Sequence, residues 1–141
     1  QILEVPAHTR GAITFVIEGN AFTGDTLFVM GCGRLFEGDA AMMHKSLGKL
    51  AALPDETKIW CGHEYAANNG RFALPLEPGN PALQAKMKSL PRPSVPSTLA
   101  EEKATNPFLR TDSAEIRKTL GMEKADAVSV FAEIRSRKDR F

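Results

Sequence analysis

Residues 22–38, FTGDTLFVMGCGRLFEG, decide how the rest of the chain is read. A short apolar strand, Ala21 to Thr23, ends at Gly24; the acid Asp25 follows, and then a loop carrying Gly31, Gly33 and Gly38. A carboxylate at the mouth of a strand is a poor packing residue, because burying its charge is costly unless something compensates it. With no Lys or Arg directly beside it, Asp25 suits a cation or a developing positive charge. Gly-Asp-Thr is also an ordinary turn or helix-cap signal, so a turn aspartate is the plainer alternative.

Upstream, Ile2 to Val5 is an apolar run closed by Pro6, which reads as a strand delivering His8 into the loop His8-Thr9-Arg10-Gly11. Ile13 to Glu18 reads as a second strand, and Gly19-Asn20 is a two-residue hairpin signal leading back into Ala21-Phe22-Thr23. His8 and Asp25 are then expected beyond strand ends on the same side of one sheet. Downstream, residues 39–53 change to helical spacing. Met42, Met43, Leu47 and Leu50 make the apolar face, with Lys45 and Lys49 exposed. Pro54-Asp55 ends that helix. Lys58 to Cys61 is a fourth strand whose end presents Gly62-His63-Glu64-Tyr65, so ligand-competent groups stand at three successive strand ends: His8, Asp25 and His63.

After Tyr65 no further strand is expected. Residues 64–73 read as a helix, and Asn80-Pro81 as a cap and first turn of another reaching Leu90. Residues 91–96 are proline-stiffened and extended. Thr98 to Glu101 matches a capping box, Asp112 to Glu115 resembles a second, and Gly121 is a C-terminal cap. A last helix over residues 125–137 is expected to bury Val128, Phe131 and Ile134 and to project Arg135 and Lys138 together near its end. Strands first and helices after give an α/β (α+β) chain.

The composition, 43% apolar and 25% charged over 141 residues, is that of a soluble globular protein. A net charge of +1 gives no long-range pull toward nucleic acid or an anionic membrane. No apolar run approaches the roughly 18–20 residues that a membrane helix needs, and no secretory pattern opens the chain, so a cytoplasmic protein is expected. Cys32 and Cys61 lack Cys-x-x-Cys spacing and read as reduced packing residues. Gln1 in place of an initiating Met reads as a fragment boundary. Two imidazoles and a carboxylate suit zinc, iron or manganese, yet without an H-x-H or H-E-x-x-H spacing the same residues could be caps and core polar groups. Arg135 and Lys138 could grip a carboxylate or phosphate, or simply complement a helix end. Tyr65 could donate to a ligand or pack. His44 reads as a boundary histidine with no evident partner.

The phrases TGDTLFVMGCGR, EGDAAMM, CGHEY, NN, EPGN, PSTLAEEKATNPFLR and RSRKD, in that order, resemble the C-terminal part of hydroxyacylglutathione hydrolase, the glyoxalase II family of the metallo-β-lactamase superfamily. That resemblance implies the C-terminal half of an αββα sandwich over residues 1–65 and a helical glutathione-binding domain over residues 66–141. It implies a thioesterase hydrolysing S-D-lactoylglutathione to D-lactate and glutathione at a two-metal centre. By motif, His8 resembles a ligand of the first metal, His63 of the second, and Asp25 the carboxylate bridging both. Arg34, Tyr65, Arg135 and Lys138 match the family's glutathione contacts. Two cations would acidify a shared water and stabilise the tetrahedral oxyanion, and a thiolate leaves readily.

The departures are specific. Ala12 stands where the family often has a second histidine, and Phe36 where a tyrosine helps to hold glutathione. The family's T-H-x-H-x-D-H loop, which supplies most of its metal ligands, has no counterpart among the three histidines here, and in the family it lies upstream. The ligand set is therefore expected to be incomplete. The sheet is expected to expose an apolar face covered by a missing N-terminal segment, a second copy or a rearrangement. The alternative is a non-catalytic truncated relative that self-assembles or binds a glutathione-like anion. A β-lactamase-like or nuclease-like hydrolase is disfavoured by PSTLAEE, NPFLR and the terminal R-x-x-K.

Overall fold

The β-branched and aromatic runs of the first sixty residues do form strands in the computed structural model, which describes residues 1–141. The elements follow as β1 (Ile2–Glu4), β2 (Ile13–Ile17), β3 (Asn20–Gly24), β4 (Leu27–Phe28), β5 (Gly31–Cys32), α1 (Ala40–Ala51), β6 (Lys58–Cys61), α2 (Ala66–Leu76), α3 (Pro81–Lys88), β7 (Ser97–Thr98), α4 (Leu99–Thr105), α5 (Ala114–Leu120) and α6 (Ala127–Asp139). A 3₁₀ turn covers Pro107–Leu109. One sheet runs β1-β2-β3-β6-β7, antiparallel except for the β3–β6 pair. A parallel pair needs a crossover, and α1 supplies it.

Local chemistry moves several boundaries. The β2–β3 turn is Glu18-Gly19, one residue earlier than expected, with φ of 47° and 77°. Positive φ at both central residues matches the twist of the flanking strands. Asn20 starts β3 instead, and its amide donates to the carbonyls of Ile17 and Glu18. In α1 the buried face is Met43, Ser46, Leu47 and Leu50, and Met42 lies exposed. Ser46 is admitted because its hydroxyl donates to Pro6 O at 2.7 Å. Helix α2 starts after Glu64, whose carboxylate instead accepts from the Ser94 amide and hydroxyl, and it continues past Ala73 to Leu76 with Pro75 inside its last turn. The capping box at Thr98 and Glu101 is formed as expected. Ser113 rather than Asp112 caps α5, and Gly121, at φ 69°, closes it. In α6 the buried side is Val130, Phe131, Ile134 and Arg135, with Val128 only half-buried. His44 is not partnerless: its ring meets Phe131 edge-on at 5.8 Å. Two elements are additions to the sequence reading: the β4–β5 hairpin inside the glycine-rich loop, and β7 beyond Pro96.

The principal core joins Val5, Ala21, Leu27 and Ile59 to Met43, Leu47 and Leu50 of α1 and to Phe72, Leu99, Phe108, Phe131 and Ile134 of the later helices. Residues on both sides of position 65 thus share one core. The opposite sheet face is bare. Ile2, Phe15, Phe22 and Trp60 lie in register across four strands, with Ile13 and Ile17 beside them. Ile2 is 60% exposed, and Phe15 and Phe22 are each 45% exposed. Strand β2 points its large apolar residues outward and Thr14 inward, the reverse of a sheet covered on one side only. No helix is long and apolar enough to cross a membrane.

The helical half is tied together at Glu77, which is 4% exposed. Arg110 donates to both carboxylate oxygens, at 2.8 and 2.6 Å, and Ser113 and Asn80 add bonds of 2.7 and 2.9 Å. Burial opposes ionisation of Glu77, but the bonds from Arg110, Ser113 and Asn80 outweigh it and hold the carboxyl below its ordinary range. A lowered folded pKa contributes stability that is fully present above the ordinary carboxylate range and is lost as the pH falls through the folded value. Glu77→Gln is expected to cost about 2–3 kcal/mol at neutral pH and less in acid, where the wild type itself loses the ionised group. Urea denaturation at both pH values measures the difference.

Candidate functional site

The three strand ends do converge. Ala7, buried and held at φ 150°, turns the chain out of β1 and delivers His8. His8 Nδ1 lies 2.9 Å from Arg34 O. A carbonyl can only accept, so Nδ1 donates and Nε2 is the ring atom turned toward Asp25, 3.5 Å from Oδ2. Gly24, at φ 53°, swings Asp25 off the end of β3. Gly62 lets the next strand end pass close by, since a Cβ there would come within 2.6 Å of Asp25 Oδ1. That oxygen meets His63 Nδ1 at 2.7 Å. The His63 ring stacks on Tyr65 with centroids 5.1 Å apart and planes 2° from parallel, and Phe28 stands edge-on to both. Asp25 therefore holds one histidine on each oxygen. No group of three or more His, Cys, Asp or Glu side chains is disposed to enclose a metal ion.

A cavity of about 490 Å³ opens beside this cluster, and His8, Asp25, Arg34, Tyr65, Arg135 and Lys138 all line it. His63 is not on its wall but joins through Asp25 and Tyr65. Arg34 is exposed, its Nε 3.9 Å from Asp139. Lys138 Nζ donates to Asn68 Oδ1 at 2.9 Å and lies 6.0 and 5.8 Å from the Phe72 and Phe141 rings. Burial, reinforced by Arg135 and Arg34, pulls its ammonium below the ordinary lysine range.

Arg135 departs from the expectation of a residue projecting at a solvated helix end. It is 4% exposed. Its guanidinium donates to Cys32 O at 2.6 Å and Gly33 O at 3.4 Å, pairs with Asp139 at 3.0 Å, and lies over the Phe108 ring. It faces the cavity with most of its donors already engaged. Burial pushes the Cys32 thiol up to about 11 against the opposing charge of Arg135, and burial raises Cys61 as well. Both are free thiols.

The sequence reading assigned no role to Phe28, Asn68 or Asn69, all of which line the cavity. For Asn68 a signal existed: it follows Tyr65 by three residues at the start of a helix, so the two share a face. Phe28 lies in a two-residue strand with no readable period. Phe36 is exposed at the rim, its ring 5.1 Å from that of His8.

A family model described as hydroxyacylglutathione hydrolase C-terminus matches residues 64–141. The hydroxyacylglutathione hydrolases of Methylococcus capsulatus and Maricaulis maris are 52% and 53% identical over 149 aligned positions, covering 100% of this chain and 58% of each relative. The chain thus spans 58% of the length of these curated relatives. Among solved structures, ETHE1 from Myxococcus xanthus superposes with a TM-score of 0.56 at 26% identity, over 98% of this chain and 52% of that one. TTHA1623 in a di-iron-bound form gives 0.53 at 27% identity, over 77% and 42%. The BLEG-1 B3 metallo-beta-lactamase, at 24% identity and 0.52 over 77% and 40%, shares the fold. With its metallo-β-lactamase-like α/β architecture and this family match, the chain belongs to the hydroxyacylglutathione hydrolase family and corresponds to the C-terminal part.

Proposed function

We propose that this chain is the glutathione-binding part, with a share of the metal centre, of a glyoxalase II-like hydrolase that cleaves S-D-lactoylglutathione to D-lactate and glutathione. One observation carries the reading: His8 and His63 meet at Asp25 beside a single cavity that Arg34, Tyr65, Arg135 and Lys138 also border. The arrangement offers a hydrolytic end and an anion-binding end in one cavity.

The donor chemistry at the hydrolytic end fits divalent metals, since imidazole nitrogen and carboxylate oxygen suit zinc, iron or manganese. His8, Asp25 and His63 would hold them, and further ligands would come from residues outside this chain. When bound, such ions polarise the thioester carbonyl and acidify water. The chain's own residues do the rest. Arg34 O holds His8 by Nδ1 and keeps Nε2 turned inward. Phe28 and Tyr65 fix the His63 ring from two sides. At the other end, Arg34 and Lys138 are placed to meet the carboxylates of glutathione, and the buried charge of Arg135 backs them. Tyr65 contributes a hydroxyl and Phe36 an apolar rim. A thiolate leaves without a strong general acid. Glutathione chemistry and two free thiols suit a cytoplasmic setting.

The bare sheet face fits the same reading. The additional length of the relatives is the natural cover for Ile2, Phe15, Phe22 and Trp60, and would bring the remaining ligands with it. If so, Phe22→Ala should cost about 3–5 kcal/mol in the longer protein and close to nothing in this chain alone. Equal costs in paired denaturation experiments would exclude that cover.

The activity is tested by thioester hydrolysis in the longer, metal-loaded protein. Asp25→Ala is expected to abolish turnover, whereas Lys138→Ala should raise KM with kcat retained. Because Lys138 loses its charge at a lower pH than an ordinary lysine, KM should begin to climb early on the alkaline side, and the variant should lack that climb. Absence of hydrolysis by the metal-loaded wild type would overturn the assignment. An unchanged KM in the variant would remove Lys138 from the site.

A further inference from the structure

The hairpin of β4 and β5 has two residues in each strand, too few to satisfy its own buried backbone. Side chains from the helical half do it instead. Asn69 donates to Val29 O at 3.1 Å, and Glu102 accepts from the Met30 amide at 2.7 Å. Asn106 donates to Phe28 O at 3.2 Å and Gly31 O at 3.0 Å. Glu102 and Asn106 are fully buried and bonded to each other at 3.1 Å. The second oxygen of Glu102 is held by Lys86 at 2.9 Å and by Ser97. Met30, between the strands, sits at φ 59°, a conformation that a residue with a side chain keeps only when its surroundings enforce it.

This turn is next to the site. Two residues beyond β5 comes Arg34, whose side chain lines the cavity and whose carbonyl fixes the His8 ring. We propose that Glu102 and Asn106 are positioning residues for the site. By clamping the Met30 turn from the helical half, they set the path of Cys32 to Arg34 and thereby place the Arg34 side chain and the His8 imidazole. The part that concerns ligand affinity rests on the anion-binding reading of the cavity. A buried carboxylate–lysine pair adds little stability over apolar packing. Glu102 supplies instead an acceptor for an amide in a left-handed turn that no nearby backbone carbonyl reaches.

Glu102→Met and Lys86→Met separate the two roles. A methionine has similar length but no oxygen to accept from the Met30 amide or from Asn106, so it removes the clamp together with the charge pair. Lys86→Met disturbs the charge pair but leaves the Met30 bond intact. The readouts in this chain are amide hydrogen exchange at Met30 and Gly33 relative to α1, the ¹⁵N shifts of the His8 ring, and the Kd for S-methylglutathione by calorimetry. Glu102→Met should speed exchange at Met30 and Gly33 by about tenfold, shift the His8 signature, and weaken S-methylglutathione by about tenfold. Lys86→Met should lower Tm and leave all three at wild-type values. A Glu102→Met protein with lowered Tm but wild-type exchange, His8 shifts and Kd would overturn the proposal and leave Glu102 a purely structural residue. If the wild type binds no S-methylglutathione, the anion-site reading falls, and exchange with the His8 shifts decides positioning alone: a selective change supports it and a uniform one overturns it. Should Glu102→Met fail to fold, Asn106→Ser, which loses the carbonyl bonds but keeps a hydroxyl for the Phe108 amide, is judged by the same criteria.

Discussion

Buried peptide groups must find partners, and several of those in residues 28–33 find them in segments far along the chain. The bond from Met30 to Glu102 spans 72 positions and that from Arg135 to Cys32 spans 103. The path of the glycine-rich loop is therefore held from α2, α4 and α6. This constraint explains why sheet and helices share one core. It also explains why Arg135, at the end of a basic helix, is buried: its guanidinium satisfies carbonyls that would otherwise be stranded. The cavity opens along that same seam.

The electrostatic layout follows from the seam. Strand ends deliver His8 and Asp25 to one side of the cavity, with His63 joined to it through Asp25. Helix α6 delivers Arg135 and Lys138 to the other, with Arg34 reaching across from the loop. Asp139 moderates the positive end by pairing with Arg135 and lying near Arg34. Crowding of three cations is visible in Lys138, whose ammonium is depressed by burial and by its basic neighbours. An anionic ligand would relieve that crowding, as a cation would relieve the carboxylate opposite.

Much of this was legible in the sequence where the signal was local. Proline and glycine punctuation exposed the strand ends, the capping box at Thr98 and Glu101 gave the start of α4, and the order of the strands put His8, Asp25 and His63 at successive strand ends. Signals of two residues were not legible: β4, β5 and β7 are too short to show alternation. Nor were substitutions of one polar partner for an apolar neighbour, as with Ser46 for Met42, or of Ser113 for Asp112 as a cap, because both depend on what the hydroxyl meets in three dimensions. The EPGN and PSTLAEEKATNPFLR phrases carried the family resemblance without revealing their work. In the fold they supply Glu77 with its partner Arg110, and the Glu102–Asn106 pair that reaches back to Met30.

A shared metal centre is the most exposed consequence of this reading, because His8, Asp25 and His63 form a cluster around one carboxylate and not a closed ligand cage. Elemental analysis of metal per chain, on protein purified without chelator and without added metal, tests it directly. Near-zero metal is expected for this chain alone, and about two ions for the longer protein that completes the ligand set. Two ions held tightly by this chain by itself would contradict a site divided between this chain and residues outside it.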